Sequence, residues 1–154
     1  MDSKTRSRMM AGIGGKDTKP EMLVRRALHR RGFRFRLHAK DLPGRPDLVF
    51  PKYRAVVFVH GCFWHRHEGC RFATVPSTRA DFWKKKFEAN VARDQKVIAG
   101  IRAKGWRTAV VWECTTKGRG RSELVVDALA EWLTGESSFI EIGSPDSVEN
   151  FPGI

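Results

Sequence analysis

Apolar and polar positions recur along this chain with two periods, and each period predicts an element. Leu23, Val24, Ala27 and Leu28 repeat at helical spacing after Pro20, a residue suited to a first helical turn, and Gly32 stops the run. A first helix is predicted there. Phe33, Phe35 and Leu37 then alternate with Arg34, Arg36 and His38, the period of a strand with one buried and one basic face. After a Pro-Gly loop, Asp47 to Phe50 and Arg54 to Val59 are short apolar runs joined by Pro51, Lys52 and Tyr53, which predicts a hairpin. Antiparallel partners keep a constant index sum, so a turn near Lys52 and Tyr53 sets Asp47 opposite the region of Phe58 and Val59. A carboxylate and a strand-end carbonyl are expected to converge there.

Residues 60–80 show no period and are too long for an ordinary connection. A long helix is predicted next, capped by Thr78, with Phe87, Val91, Ile98 and Ile101 as its apolar stripe, a break near Asn90 and a stop at Gly105. Trp106 to Glu113 reads as a buried strand. Lys117, Arg119 and Arg121 lie in a Gly-rich loop before a last helix, Ser122 to Leu133, whose inner face is Val125, Leu129, Trp132 and Leu133. This uneven alternation around one hairpin predicts an α/β fold, a mixed sheet flanked by helices. The expected organisation is a basic N-terminal arm over residues 1–19, one domain over 20–134, and a C-terminal tail without sustained pattern over 135–154.

Charge narrows the partner. The 154 residues carry 29 Lys and Arg against 17 Asp and Glu, a formal +12 spread along the chain. Neutralising phosphates releases condensed counterions, so nucleic acid is the polyanion that fits best. The sequence shows no membrane span and no signal-like apolar start, and the expected location is the cytoplasm, beside the nucleoid. With no apolar surface stripe asking for a partner, a monomer is expected.

The densest chemistry is His60-Gly61-Cys62-Phe63-Trp64-His65-Arg66-His67-Glu68-Gly69-Cys70. Imidazoles and thiols packed this closely suit tetrahedral zinc, and Cys62 and Cys70 have a workable spacing with one histidine between them. Spacing alone leaves His65 and His67 open as that histidine. Cys114, at the end of a predicted strand, is placed to supply the fourth donor. Asp47 is a second feature, because phosphodiester cleavage needs a hard oxygen ligand for magnesium. An Asp after Pro is commonly a solvated loop residue, and the predicted hairpin is what singles this one out. Phe63 and Trp64 within the cluster, and Trp83 amid Arg79, Lys84, Lys85 and Lys86, place flat apolar side chains on a basic surface, as a wedge between base pairs requires.

These residues resemble the very-short-patch repair endonucleases. The similarity is carried by Thr5-Arg6-Ser7 with Met10, Pro20-Glu21, Pro43-Gly44-Arg45-Pro46-Asp47, His60-Gly61-Cys62-Phe63-Trp64-His65, Thr78-Arg79 with Phe82-Trp83, Asn90-Val91 with Arg93-Asp94, and Val111-Trp112-Glu113-Cys114. It implies a restriction-endonuclease-like core. It further implies that Asp47 and the Val59 carbonyl hold Mg2+, that His65 is the base oriented by Glu21, and that His60, supported by Asp94, sits beside the phosphate. Cys62, His67, Cys70 and Cys114 would be a structural Zn2+ site. Phe63, Trp64 and Trp83 would be the wedge, with Met10 approaching from the minor groove. The acidic-x-Lys motif of the wider superfamily is absent, and Val59 to His65 occupies its place.

The implied activity is a Mg-dependent nick 5′ of the thymine in a T:G mispair left by 5-methylcytosine deamination. Double-stranded DNA carrying that mismatch is the expected partner, and mismatch-repair proteins are the expected class of protein partner. Two alternatives differ in kind: a nuclease of the same fold with a restriction or host-defence target, and a zinc-stabilised DNA-binding module without catalysis.

Overall fold

A computed structural model describes residues 18–118 and 120–143. The expectations for Met10, for Arg119, and for most of residues 1–19 and 144–154 lie outside the described residues. Helix α1 spans Lys19–Arg30: Thr18 accepts from the Glu21 amide at 3.4 Å, Pro20 lies in the first turn, and Gly32 follows at φ 96°. Its buried positions are Glu21, Val24, Ala27 and Leu28. Helical periodicity therefore turns a carboxylate inward with the apolar stripe.

The expected strand from Phe33 shortens to β1, Arg36–Leu37. Phe33 and Phe35 pack on the core against Phe50, with ring centroids 6.3 and 5.5 Å away, while Leu37 is exposed. His38, left-handed at φ 48°, ends the alternation. The hairpin forms from β2, Leu48–Phe50, and β3, Ala55–His60, about a 3-10 turn at Pro51–Tyr53. Leu48 pairs with Val57 and Phe50 with Ala55. That register carries Asp47 to the level of Phe58.

Helix α2, Ala80–Ala103, differs from expectation at its start and its middle. Arg79 occupies the cap position in a left-handed conformation with no side-chain cap bond, so Thr78 is not the cap. The helix is continuous through Asn90, whose amide donates instead to the Trp64 carbonyl at 3.1 Å. Strand β4 is Arg107–Trp112 and helix α3 is Arg121–Thr134. Within the segment expected to be a patternless tail, Phe139–Ile142 form β5. Four residues bounded by polar sequence give almost no periodic signal; the free edge of β4 recruits them.

The sheet order is β1-β2-β3-β4-β5, antiparallel across β1 to β3 and parallel across β3 to β5. Parallel pairs need crossovers, which α2 and α3 supply. Helices α1 and α3 cover one face over Leu48, Phe50, Val57, Ala109 and Val111. Helix α2 covers the other, where Ile101 packs on Val49, Val56 and Phe58. Each fully buried side chain of this size contributes roughly 1.5–3 kcal/mol. Arg54 ties the hairpin turn to the end of α2 by donating to the carbonyls of Lys104 and Gly105, at 3.2 and 3.3 Å. The result is α/β, a mixed sheet between helices, as the alternation of elements predicts.

Candidate active site and metal cluster

Parallel register explains how a four-donor cluster assembles from distant sequence. His60 lies beside Trp112 across β3 and β4, so two residues further on Cys62 and Cys114 emerge together at the carboxyl ends of both strands. Glu113 bridges them, accepting from the Cys62 amide at 3.3 Å. The intervening loop folds back, with the His67 amide on the Cys62 carbonyl at 3.0 Å and the Cys70 amide on that of His67 at 3.3 Å. Donor atoms of Cys62, His67, Cys70 and Cys114 all lie within 4.8 Å of one another. His67 Nδ1 is 3.5 Å from Cys62 Sγ and 3.4 Å from Cys114 Sγ. A tetrahedral ion with bonds of roughly 2.3 Å to sulfur and 2.0–2.1 Å to nitrogen needs separations of roughly 3.5 Å, so the donor set fits a metal ion.

The other ring nitrogen of His67 is also accounted for. Nε2 donates to the Gly143 carbonyl at 2.6 Å, which leaves Nδ1 as the ligand atom, and the ring stacks on Trp112 at 4.4 Å. Gly143 directly follows β5, so all three parallel strands end at this cluster. Hydrogen bonding to Cys114 and burial push the Cys62 thiol up, and the same bond draws Cys114 down. A bound cation would take these groups as thiolates.

Around the corner of β3 lies a cavity of about 470 Å³, bordered by Asp47, Val59, His60, His65 and Asp94 and by the cations Lys40, Arg45 and Arg93. Asp47 stands just before β2, and its Oδ2 accepts from the Val59 amide at 2.7 Å. Burial, partly offset by that amide and reinforced by nearby Glu21, raises the Asp47 carboxyl to about 7. A buried carboxylate beside a second one is suited to a hard divalent cation. The amide and carbonyl of one strand residue point to the same side of the strand, so the Val59 carbonyl faces this region too.

His65 Nδ1 lies 2.6 Å from Asp94 Oδ2. Asp94 reaches it from the face of α2 that also carries Phe87, Ile98 and Ile101. His60 is buried and stacks face to face with His65 at 3.9 Å and 4°. Burial first, and the neighbouring His65 second, lower His60 to about 3, so it is a neutral imidazole at ordinary pH.

Two pairings therefore differ from those the resemblance implies. Asp94 bonds His65 where the resemblance sets it behind His60, and the Glu21 carboxylate faces His38 where the resemblance sets it behind His65. Glu21 Oε1 and Oε2 meet His38 Nε2 at 3.0 and 3.1 Å, and Oε2 accepts from Arg25 at 2.7 Å. The physical reason is reach: Glu21 sits on α1, on the sheet face opposite α2, and lies beside Asp47 at the start of β2. Sequence reasoning left His38 as one basic residue among several on a strand. No sequence signal marks it, because the alternation of apolar and polar residues runs unbroken through Leu37, His38 and Ala39 and only the backbone turns there.

The aromatic residues form one cluster beside the cavity. Phe63, Trp64 and Trp83 are half-buried, with centroid separations of 5.1 Å for Phe63–Trp64, 5.9 Å for Phe63–Trp83 and 6.0 Å for Trp64–Trp83. Phe87 backs them from the core, and Phe82, which is exposed, extends them outward. Arg66 braces the loop, donating to the carbonyls of Phe63, Ala73 and Thr74 and lying 3.8 Å over the Phe87 ring.

A carboxylate-oriented imidazole and a buried acid facing a cationic rim are the equipment of a hydrolase that cuts the phosphodiester backbone of nucleic acid. Residues 1–71 match the family described as DNA mismatch endonuclease Vsr. The Type II nicking enzyme V.XorIIP of Xanthomonas oryzae pv. oryzae is 52% identical over 123 residues, 80% of this chain and 90% of that protein. The DNA mismatch endonuclease Vsr of Escherichia coli K12 is 42% identical over 143 residues, 92% of this chain and 91% of that one. The Type II nicking enzyme V.NmeAIP of Neisseria meningitidis is 44% identical over 114 residues, 74% of this chain and 81% of that one. The chain belongs to the Vsr family and is a DNA endonuclease. No helix among the described residues is long and apolar enough to cross a membrane.

Proposed function

We propose that this endonuclease nicks one strand of double-stranded DNA, 5′ of the thymine in a T:G mispair, with Mg2+ at Asp47 and Zn2+ at the Cys62, His67, Cys70 and Cys114 cluster. The observation that carries the catalytic part is the shared cavity of Asp47 and His65, with Asp94 bonded to His65. Nδ1–H donates to Asp94, so the lone pair of Nε2 is the free one. His65 then takes a proton from water as its oxygen attacks phosphorus and the bond from phosphorus to the 3′ oxygen breaks, the released 3′ oxyanion taking a proton from solvent. The products are a 3′-hydroxyl and a 5′-phosphate.

Asp47 and the Val59 carbonyl are the groups that would hold magnesium, which supplies charge stabilisation at the phosphate. Neutral His60, held parallel to His65, donates a hydrogen bond to a phosphate oxygen. Lys40, Arg45 and Arg93 bind flanking phosphates and fix the register of the duplex. Cys62, His67, Cys70 and Cys114 would hold zinc, which would tie the ends of β3 and β4 to the loop that carries both His65 and the aromatic cluster.

Mismatch selection rests on the wedge reading of Phe63, Trp64 and Trp83, joined by Met10 of the N-terminal segment. A mispair unstacks at lower cost than a matched pair, so insertion discriminates through deformability. The name of the Escherichia coli relative supports this target. The names of the Xanthomonas and Neisseria relatives support cutting of one strand; the second reading is a nuclease of the same fold with a restriction or host-defence target. Mapping cuts on both strands of a labelled T:G duplex and its matched control distinguishes them. A nick 5′ of thymine in the mispaired duplex alone is expected; equal cutting of both duplexes would sink the mismatch reading.

A further inference from the structure

His38 borders the catalytic cavity, and its surroundings are not those of a surface imidazole. Its backbone lies at φ 48°, a left-handed conformation uncommon outside glycine, in which Asn, Asp and His are the better tolerated side chains. Its amide donates to the Asp47 carbonyl at 3.1 Å, so the loop bearing the ring is tied to the residue bearing the acid. Its Nε2 faces both oxygens of Glu21, a side chain only 1% exposed, at 3.0 and 3.1 Å. One side-chain atom each of Glu21, His38 and Asp47 fall within 4.8 Å of one another.

Glu21 and Asp47 come from different elements, α1 and the start of β2, and two carboxylates brought this close repel. Arg25 secures one edge of Glu21 from the same helix at 2.7 Å. His38 secures it from the Asp47 side, through a segment that shares a backbone hydrogen bond with Asp47. This arrangement fixes the rotamer of a buried acid relative to the residue whose ligand geometry matters most.

We propose that His38 is a positioning residue of the active site, holding the Glu21 carboxylate beside Asp47 so that the two acids present a preformed seat for one divalent cation. The proposal rests on the magnesium reading of Asp47. His38 touches neither water nor phosphate in this role. Its loss therefore weakens cation binding and leaves the chemical step, once the site is filled, nearly as fast.

The test uses the zinc-loaded full chain and two variants. His38→Asn tolerates the left-handed backbone but is too short to reach Glu21; His38→Gln can reach it with an amide N–H. Mg2+ binding is measured by calorimetry without DNA, and single-turnover nicking is measured as a function of Mg2+. His38→Asn is expected to raise both the dissociation constant and the half-saturating Mg2+ concentration about tenfold, as expected for loss of a hydrogen bond to a charged group. Its rate at saturating Mg2+ should stay within about threefold of the parent, and His38→Gln should recover most of the affinity. Unchanged Mg2+ affinity in His38→Asn overturns the proposal, as does a slower rate at every Mg2+ concentration with no shift in half-saturation. If the parent protein itself fails to bind Mg2+, the magnesium reading falls and takes this proposal with it; a parent that binds normally beside an unchanged variant removes the role of His38 alone.

Discussion

Asp94 Oδ2 accepts a 2.6 Å hydrogen bond from His65 Nδ1, a contact between the middle of α2 and the loop after β3. It decides which nitrogen of His65 is free to act, because a proton held on Nδ1 leaves Nε2 as the acceptor. Asp94→Asn presents an amide that can donate as well as accept and so permits the opposite tautomer. Single-turnover nicking should fall by roughly 10²–10⁴-fold, the usual worth of a positioned general base, while affinity for mismatched DNA stays near that of the parent. An Asp94→Asn enzyme that nicks at the parental rate would remove Asp94 from the mechanism.

Asp47 carries a cost that should be visible in stability. Its carboxyl is raised from 3.8 to about 7, chiefly by burial, so folding takes up a proton between these values. The sign is then fixed. The contribution is most favourable below the ordinary carboxylate range and is lost as pH rises towards 7. Zinc-loaded, magnesium-free protein should accordingly resist urea better at pH 5.5 than at pH 7.5. Asp47→Asn should flatten that dependence, raise stability at pH 7.5 and abolish nicking; a variant with the parental pH slope would contradict the assignment.

The Cys62, His67, Cys70 and Cys114 cluster should hold one structural metal ion per chain. Structural zinc carries roughly 10–16 kcal/mol of apparent binding free energy in small domains, so removing one thiolate is expected to cost well over ~3 kcal/mol of stability. Cys114→Ser should lower both the metal content, read by atomic emission, and the thermal midpoint. Full metal content with an unshifted midpoint would show that Cys114 is not a ligand.

Phe63 is central to the aromatic cluster, lying 5.1 Å from Trp64, 5.2 Å from Phe87 and 5.9 Å from Trp83. Aromatic stacking on a base is worth ~1–3 kcal/mol, roughly 5- to 150-fold in affinity. Phe63→Ala should lose that much binding to T:G duplex and much less to matched duplex, measured as a ratio of dissociation constants. An equal loss on both would mean that Phe63 supports the loop without reading the mispair.

Much of this architecture is determined locally. The apolar stripe from Val24 to Leu28, the hairpin about Pro51–Tyr53 and the run from Trp106 each settle their own element, because burial periodicity is a property of neighbouring residues. The hairpin's index sum even carries Asp47 to Val59, since antiparallel register follows from the turn. The crowding of His60, Cys62, His65, His67 and Cys70 marks the chemical segment without any fold. What no local pattern contains is partner choice across the sheet. Parallel register between β3 and β4 brings Cys114 to Cys62; the edge of β4 converts Phe139–Ile142 into a strand whose end supplies the Gly143 carbonyl to His67. The helix faces then allot Asp94 to His65 and Glu21 to His38, because α2 and α1 lie on opposite sides of the sheet. Sequence determines which side chains face inward; only the packed sheet decides which of them meet, since that depends on distances between elements far apart in the chain.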